Sequence, residues 1–424
     1  MSDEQPRTAD DKSGKKAKPV AVGPPRRRMS RTQRAREDRR QRQHNRHRRV
    51  ARSLGVALIV LVAIAGVFLG SKYWHASGPA VDFTGDGGQQ VLIEVHEGDF
   101  TTAIAETMLD AGVIANVKTF LGAAQGNAAI AAIQPGFYRL RAEIPAATAV
   151  HQLTDPENRV GKLVIPEGRQ LDDTRDMKTD RVTPGVFTLI AEASCLDLNG
   201  DRTCLKAQDL RRAAEIETPQ ALSVPDWALG PVTNMGRDHR RIEGLITAGT
   251  WNVDPTAPAP TVLSKLISQS SAELDKSGLL GTAEQMGMTP YEMLVVASLV
   301  QREALPHDFA KVARVIDNRL GEPQRLEFDS TVNYPLDRQE VATTDADRAK
   351  VTPWNTYASD GLPATPICSP GVDALHAAEH PEPGDWLYFV TIDKDGTTLF
   401  THNYQQHLNN IEMALDNGVL DSSR

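Results

Sequence analysis

The chain has 424 residues, 24% of them charged, and a formal net charge of −8; that length suits two or three domains around a sizeable core. The charge is lopsided: residues 1–52 carry a net +12 and the remainder −20. The acidic bulk speaks against nucleic acid as a partner.

From the N-terminus, residues 1–52 are rich in Arg, Lys, Gln and Pro with almost no apolar periodicity, which predicts a basic, disordered cytoplasmic tail. Its basic clusters suit contact with anionic lipid or serve only to fix topology. Ser53–Gly70 follows, 18 residues without a charge, and predicts a single transmembrane helix over 53–72. Arg46, Arg48, Arg49 and Arg52 on one side and Tyr73 and Trp74 on the other place the N-terminus inside and the bulk outside. A cleaved signal peptide is the competing reading, but its n-region would be far too long. Residues 73–89 read as a linker.

Over 90–155 the pattern is strand, helix, helix, strand. VLIEV (Val91–Val95) is a short strand, Ile104, Met108 and Leu109 share a helix face, Val117–Ala124 is a second helix, and a strand follows Ile133-Gln-Pro-Gly. This unit resembles the LysM-type fold, which binds amino-sugar chains; a packing or spacer module has the same pattern. The remainder, 156–415, reads as a mixed α+β catalytic domain, with 416–424 a C-terminal tail. The fold class expected for the whole is therefore α+β.

Cys195 and Cys204 bracket the polar turn LDLNGDRT, which a disulfide could close in an oxidising compartment, leaving Cys368 over. Asp197, Asn199 and Asp201 have the spacing of the first calcium-loop ligands. Arg202 and Gln208 stand where that loop needs Gly and Glu, so a polar turn is the better reading. Glu243 lies alone among apolar residues in Arg241–Trp251, suited either to substrate binding or to a buried structural pair.

Thr289–Leu320 reads as two helices meeting at Leu305-Pro306. Thr289 is a helix N-cap, with Pro290 first in the helix and Glu292 three residues after the cap. Met293–Val300 is apolar almost all round, so this helix is expected to be buried. At its far end stands Glu303, below Val300, Leu299 and Val296. Burial and the helix dipole both raise a carboxyl pKa there, as a general acid near neutral pH requires; on this helix alone, a solvated helix-end charge beside Arg302 is the better reading. In the second helix Phe309, Val312, Ala313, Ile316 and Leu320 keep helical spacing. Downstream come Arg325–Tyr334, the Pro- and Gly-dense Pro353–Ile367, a helix from Val372, a hairpin around Asp395-Gly396 and a closing helix from Thr401 to Leu415. His307, His402 and His407 show no zinc spacing with nearby acids, and neither metal nor cofactor is expected.

Several motifs, taken in order, resemble one family. They are ASLVQRE (Ala297–Glu303), NRL (Asn318–Leu320), RLEFDSTVNY (Arg325–Tyr334), WNTY (Trp354–Tyr357), GLPATPICSPG (Gly361–Gly371), WLYFV (Trp386–Val390) and FTHNYQQH (Phe400–His407). Together they are similar to the MltG/YceG-like family of membrane-anchored endolytic murein transglycosylases, from about Val91 to Ile411. The resemblance implies cleavage of the β-1,4 bond after N-acetylmuramic acid with closure of a 1,6-anhydro ring, Glu303 acting as acid and then base. It further implies work on nascent glycan strands at the outer face of the cytoplasmic membrane, near membrane glycan synthases. Asn355, Tyr357, Thr331, Asp329, Arg325 and Glu243 are the substrate-binding candidates; for several of them a turn-stabilising role competes, and Asp329 is a candidate either to orient Arg325 or to cap the run at Ser330–Thr331. Where the family usually has an earlier acid in the ASIVEKE motif, this chain has Gln301. Trp354 replaces a tyrosine, Glu327, Phe328 and Ser330 replace Gln, Ser and Pro, and Thr398 stands where a His is frequent. A hydrolytic muramidase using Asp329 or Glu327 as second carboxylate, and a non-enzymatic wall-binding scaffold, are the other two readings.

Overall fold

The computed structural model describes residues 81–336, 338–339 and 343–419. The stretch expected to span a bilayer lies outside these residues, and among the described residues no helix is long and apolar enough to cross a membrane.

The chain opens with the expected strand–helix–helix–strand order: β1 (Gln90–Val95), α1 (Thr101–Asp110), α2 (Val117–Ala124), a single turn α3 (Ala128–Ala131) and β2 (Gly136–Arg141). β1 and β2 pair antiparallel, Gln90 opposite Arg141 and Val95 opposite Gly136. Asn116 and Asn127 cap the two later helices through their side chains, satisfying N–H groups that a helix start leaves free. α4 (Ala146–Thr154) and the two-residue β3 (Arg159–Val160) complete the unit, β3 adding to the free edge of β2. Ile93, Ile104, Met108, Ile114, Phe120, Leu140 and Leu153 form its own apolar core.

A second, larger core follows. β4 (Lys162–Ile165) pairs antiparallel with the later β9 (Gly249–Asn252). Between them lie β5 (Thr174–Asp176), β6 (Val182–Thr183), α5 (Val186–Ala193), β7 (Leu196–Leu198), β8 (Asp201–Thr203), α6 (Ala207–Ile216) and α7 (Asp226–Asn234). Cys195 and Cys204 form a disulfide across the β7–β8 hairpin. At the hairpin tip Asn199 adopts a left-handed φ of 57°. Its side chain is not left for a cation: Asn199 Oδ1 accepts from Gln90 N at 2.6 Å and its Nδ2 donates to Gln90 O at 3.1 Å.

Helices α8 (Ala259–Ser277), α9 (Leu279–Gln285), α10 (Pro290–Glu303) and α11 (Phe309–Gly321) build the centre of the larger core. The capping box is present: Thr289 Oγ1 accepts from Glu292 N, and the Glu292 carboxylate accepts from Thr289 N. The sequence of α10 has no polar face to turn outward, and every residue from Met293 to Val300 is buried. Each large apolar side chain so buried contributes roughly 1.5–3 kcal/mol. α10 is therefore fixed from all sides, and its last residue is positioned with it. After it come α12 (Asp329–Asn333), β10 (Arg338–Gln339, parallel to β5), α13 (Asp345–Arg348), α14 (Val372–Glu379), the hairpin β11 (Tyr388–Thr391) and β12 (Thr398–Thr401), and α15 (Tyr404–Asp416). The fold is mixed α+β, as expected from the sequence.

Two residues of the NRL motif hold the closing hairpin. Asn318 donates to Trp386 O at 2.8 Å and to Gly384 O at 3.2 Å. Arg319 donates to Leu387 O at 2.7 Å and also to Leu326 O. Its guanidinium lies between the rings of Phe328 and Tyr388, at 5.7 and 5.6 Å. A sequence reading sees these two only as residues near a helix end. Their partners are more than 65 positions away for the hairpin contacts.

Candidate active site

Glu303 is the last residue of α10, and the chain turns extended at Ala304. The residue is half-buried. Burial is the main cause that lifts its carboxyl pKa above the ordinary glutamate range, and the neighbouring Asp329 charge adds to it. The Ser330 hydroxyl and N–H and the Arg302 charge oppose the rise. Ser330 Oγ is buried and lies against this carboxyl, yet makes no well-aligned hydrogen bond among the described residues. The result is a carboxyl held toward its protonated form on a residue that is only partly buried.

Asp329, at the start of α12, gathers the neighbouring side chains. Arg348 Nη2 donates to both of its carboxylate oxygens at 2.9 Å, and Arg348 Nε to one of them at 3.1 Å. Thr343 Oγ1 and Tyr357 Oη donate to the same carboxylate at 2.7 and 2.9 Å. The Arg348 guanidinium also lies 4.8 Å from the Tyr357 ring centre. Burial, then the Asp329 charge, push the Tyr357 hydroxyl pKa up, so it stays a donor. Asp329 thus orients Arg348 and not Arg325. Arg325 is exposed and spends its guanidinium on Asp360 at 2.8 Å and on the Tyr357 carbonyl at 2.8 Å.

The polar residues of WNTY and of the run before α12 are stitched to each other. Thr331 Oγ1 meets Thr356 Oγ1 at 2.9 Å, Phe328 N donates to Thr356 Oγ1 at 3.0 Å, and Glu327 N to Thr356 O at 3.2 Å. Asn355 Nδ2 donates to Arg348 O and Lys350 O at 3.0 and 2.5 Å, and its Oδ1 accepts from Tyr357 N at 2.9 Å. Thr331 and Asn355 are fully buried. Both therefore set the loop that carries Tyr357 and Arg348, and touch no ligand without rearrangement.

Glu243 belongs to a different set of contacts. It is 1% exposed. One carboxylate oxygen accepts from Leu171 N at 3.1 Å and from Tyr334 Oη at 2.7 Å, while the other has no partner among the described residues. Burial pushes its pKa up to about 8. Nearby, His239 Nε2 and Asp172 Oδ2 are 2.6 Å apart. Glu243 presents no surface to a substrate and braces α12 through Tyr334.

The structure therefore brings together Glu303, Asp329 and Tyr357 from the sequence candidates. It puts Thr331 and Asn355 beneath them, Arg325 at their edge, and Glu243 in the core. Ser330 and Arg348 were not foreseen. Ser330 followed Asp329 in a recognised motif, but Arg348 lies in a stretch without any pattern, and its partner is 19 positions away. Gln301 also has a place: its Oε1 accepts from Gly371 N at 2.8 Å, at the start of α14. A polar pocket of about 330 Å³ opens beside Arg302. Among the described residues no group of His, Cys, Asp and Glu is arranged to hold a metal ion.

A model of the YceG-like family matches residues 93–413. A Bacillus subtilis (strain 168) protein named endolytic murein transglycosylase is 26% identical over 322 residues, covering 75% of this chain and 82% of that one. Proteins of the same name from two Streptococcus pneumoniae strains, D39 and R6, are each 25% identical over 374 residues; the match covers 84% of this chain and 64% of theirs. The crystal structure of a yceG-like protein from Listeria monocytogenes is 23% identical, with a TM-score of 0.48, covering 76% of this chain and 98% of that chain.

Proposed function

Because the chain belongs to the YceG-like family, we propose that it is an endolytic peptidoglycan lytic transglycosylase with Glu303 as its single catalytic acid and base. The observation that carries the assignment is the Glu303 carboxyl, raised in pKa by burial on a residue that is only partly buried, at the end of a helix whose body is buried. Relatives named endolytic murein transglycosylase point the same way.

In the first step the protonated Glu303 gives its proton to the glycosidic oxygen between N-acetylmuramic acid and N-acetylglucosamine, and the C1–O bond breaks. In the second, the Glu303 carboxylate takes the proton of the muramic acid C6 hydroxyl as that oxygen bonds to C1. The 1,6-anhydro ring closes, no water is consumed, and Glu303 ends protonated as it began. One group serves both steps because the second returns the proton that the first used. Hydrolytic glycosidases mostly need two carboxylates at a set separation. Asp329 is poorly suited to be a second one: Arg348, Thr343 and Tyr357 already occupy its oxygens. It acts instead as a positioning residue for Tyr357 and Arg348.

The finer reading is a single-pass protein of the cytoplasmic membrane, N-terminus inside, acting on nascent glycan strands and so ending their elongation. It works near membrane glycan synthases, with a LysM-like unit ahead of the catalytic domain. The charge-free run Ser53–Gly70 and its basic flank support the anchor. The test is product analysis. The full chain in lipid vesicles, incubated with glycan strands, is expected to leave 1,6-anhydro-muramic ends by mass spectrometry. Reducing muramic ends would identify a muramidase, and uncut strands a wall-binding scaffold.

A further inference from the structure

The pocket beside Arg302 is lined mainly by ionic side chains: Glu167, Arg169, Asp172, Arg175, Asp176 and Arg302. Most of these have ties within the protein. Arg175 pairs with Asp180 at 2.9 Å. Asp172 is held by His239 at 2.6 Å, with Arg211 at 3.5 Å. Asp176 accepts from Lys178 N and from Thr179 N and Oγ1.

Arg169 differs. Its backbone is fixed: the Arg169 carbonyl accepts from Ser369 N at 2.8 Å, and Gly168 N donates to Ser369 O at 2.8 Å. Ser369 is itself buried. The Arg169 Nε is buried and has no hydrogen-bond partner among the described residues, and burial alone acts on its charge, lowering its pKa. A half-buried guanidinium is costly unless something pairs with it, and its planar fork fits a carboxylate with two parallel hydrogen bonds.

We propose that this pocket is the subsite for the peptide stem of the substrate, with Arg169 receiving a stem carboxylate. The inference rests on the transglycosylase reading for its ligand. Geometry connects the two. Arg302 lines the pocket and precedes Glu303 in the chain, and Gly168 lies against Gln301 on the last turn of the same helix. The stem is attached to the muramic acid whose bond Glu303 protonates, and the pocket is lined from the same last helical turn that ends in Glu303. The mixed signs favour a peptide over a phosphate. A peptide brings carboxylates for Arg169 and amide N–H donors for Glu167, whereas a dianionic phosphate meets repulsion from Glu167 and Asp176.

The test compares strands whose stems end in free carboxylates, strands with the same stems amidated, and strands stripped of stems, with the full chain in vesicles. Wild type is expected to favour free-carboxylate stems in kcat/KM by about tenfold over amidated ones, the order of one charged contact (about 1.4 kcal/mol). Arg169→Gln is expected to bring that ratio close to one, and Arg169→Lys to keep part of it. A wild-type enzyme indifferent to amidation, or an Arg169→Gln enzyme that keeps the preference, overturns the subsite; anhydro ends formed in the same reactions leave the transglycosylase reading standing. If no strand is cut, that reading fails. Calorimetric titration with free stem peptide then decides the pocket: binding lost in Arg169→Gln supports it, and binding that is absent or unaltered rejects it. The amidation contrast in wild type needs no variant, so misfolding of Arg169→Gln does not rescue the proposal.

Discussion

Among the glutamates whose pKa is raised mainly by burial, Glu243 and Glu303 stand at opposite ends of usefulness. Glu243 is sealed in the core, with one oxygen bonded to Leu171 N and Tyr334 Oη and the other unpartnered. Glu303 is half-buried, with Ser330, Asp329 and Arg302 acting on its charge. A raised pKa alone therefore does not mark a catalytic acid. What separates the two is exposure: Glu243 is sealed in the core and Glu303 is only partly buried.

The comparison breaks first at activity. Glu303→Gln keeps size and helix, and is expected to lose roughly 10²-fold or more in kcat with strand binding retained; single-turnover cleavage measures it. A variant that cuts like wild type would place the acid elsewhere. Next is the brace around Asp329. Arg348→Ala frees its carboxylate, and is expected to cost about tenfold in kcat and roughly 1–2 kcal/mol of stability, modest because the pair is partly exposed. Loss of stability without loss of kcat after correction for folded fraction would leave Arg348 a purely structural residue.

Glu243 makes the opposite prediction, visible in stability and not in chemistry. Its folded pKa of about 8 lies above the unfolded value of 4.5. Between those pH values the folded state holds the proton and the unfolded state does not, so stability falls as pH rises. Glu243→Gln removes that proton. Its melting temperature relative to wild type is expected to rise steadily from pH 5 to pH 8, by an equivalent on the order of a few kcal/mol. A pH-independent difference would show that Glu243 does not titrate in this range.

Glu303 has a pH signature in activity. It must be protonated for the first step, so the rate falls as pH passes its folded pKa. Ser330→Ala removes a group that favours the carboxylate, and is expected to move the alkaline limb of kcat/KM to higher pH. Asp329→Asn removes a charge that favours the acid form, and moves the limb lower. A structural disturbance lowers the plateau in both variants; opposite displacements require a carboxyl that both neighbours touch.

Local patterns made much of this fold legible. The capping box at Thr289 and Glu292 and the unbroken apolar run behind it placed α10 and Glu303, because helix starts and buried helices are written in neighbouring residues. Val117–Ala124 and the hairpin around Asp395-Gly396 follow for the same reason. The helix Asp226–Asn234 escaped notice, since Gly230 and Pro231 interrupt its pattern. The site was legible in its acid and not in its surroundings. The sequence offers Asp329 either Arg325 to orient or the run at Ser330–Thr331 to cap, while the structure gives it Arg348 across a loop. Side chains that meet through loops leave no periodic trace.

Gln301 offers the smallest effect and the finest check on the comparison. Its amide oxygen accepts from Gly371 N and caps α14, a helix start without a side-chain cap of its own. The bond asks only for an oxygen at that place. Gln301→Glu supplies one, and its charge is favourable near a helix N-terminus, so rate and stability are expected to stay within about twofold and ~0.5 kcal/mol. Gln301→Ala removes the acceptor and is expected to lose roughly 1 kcal/mol of stability with kcat within about threefold, read by thermal melts and initial rates. A large gain in rate in Gln301→Glu, or an inactive but folded Gln301→Ala, would move the proton transfer two residues along the helix and leave Glu303 as a buried structural acid of the same kind as Glu243.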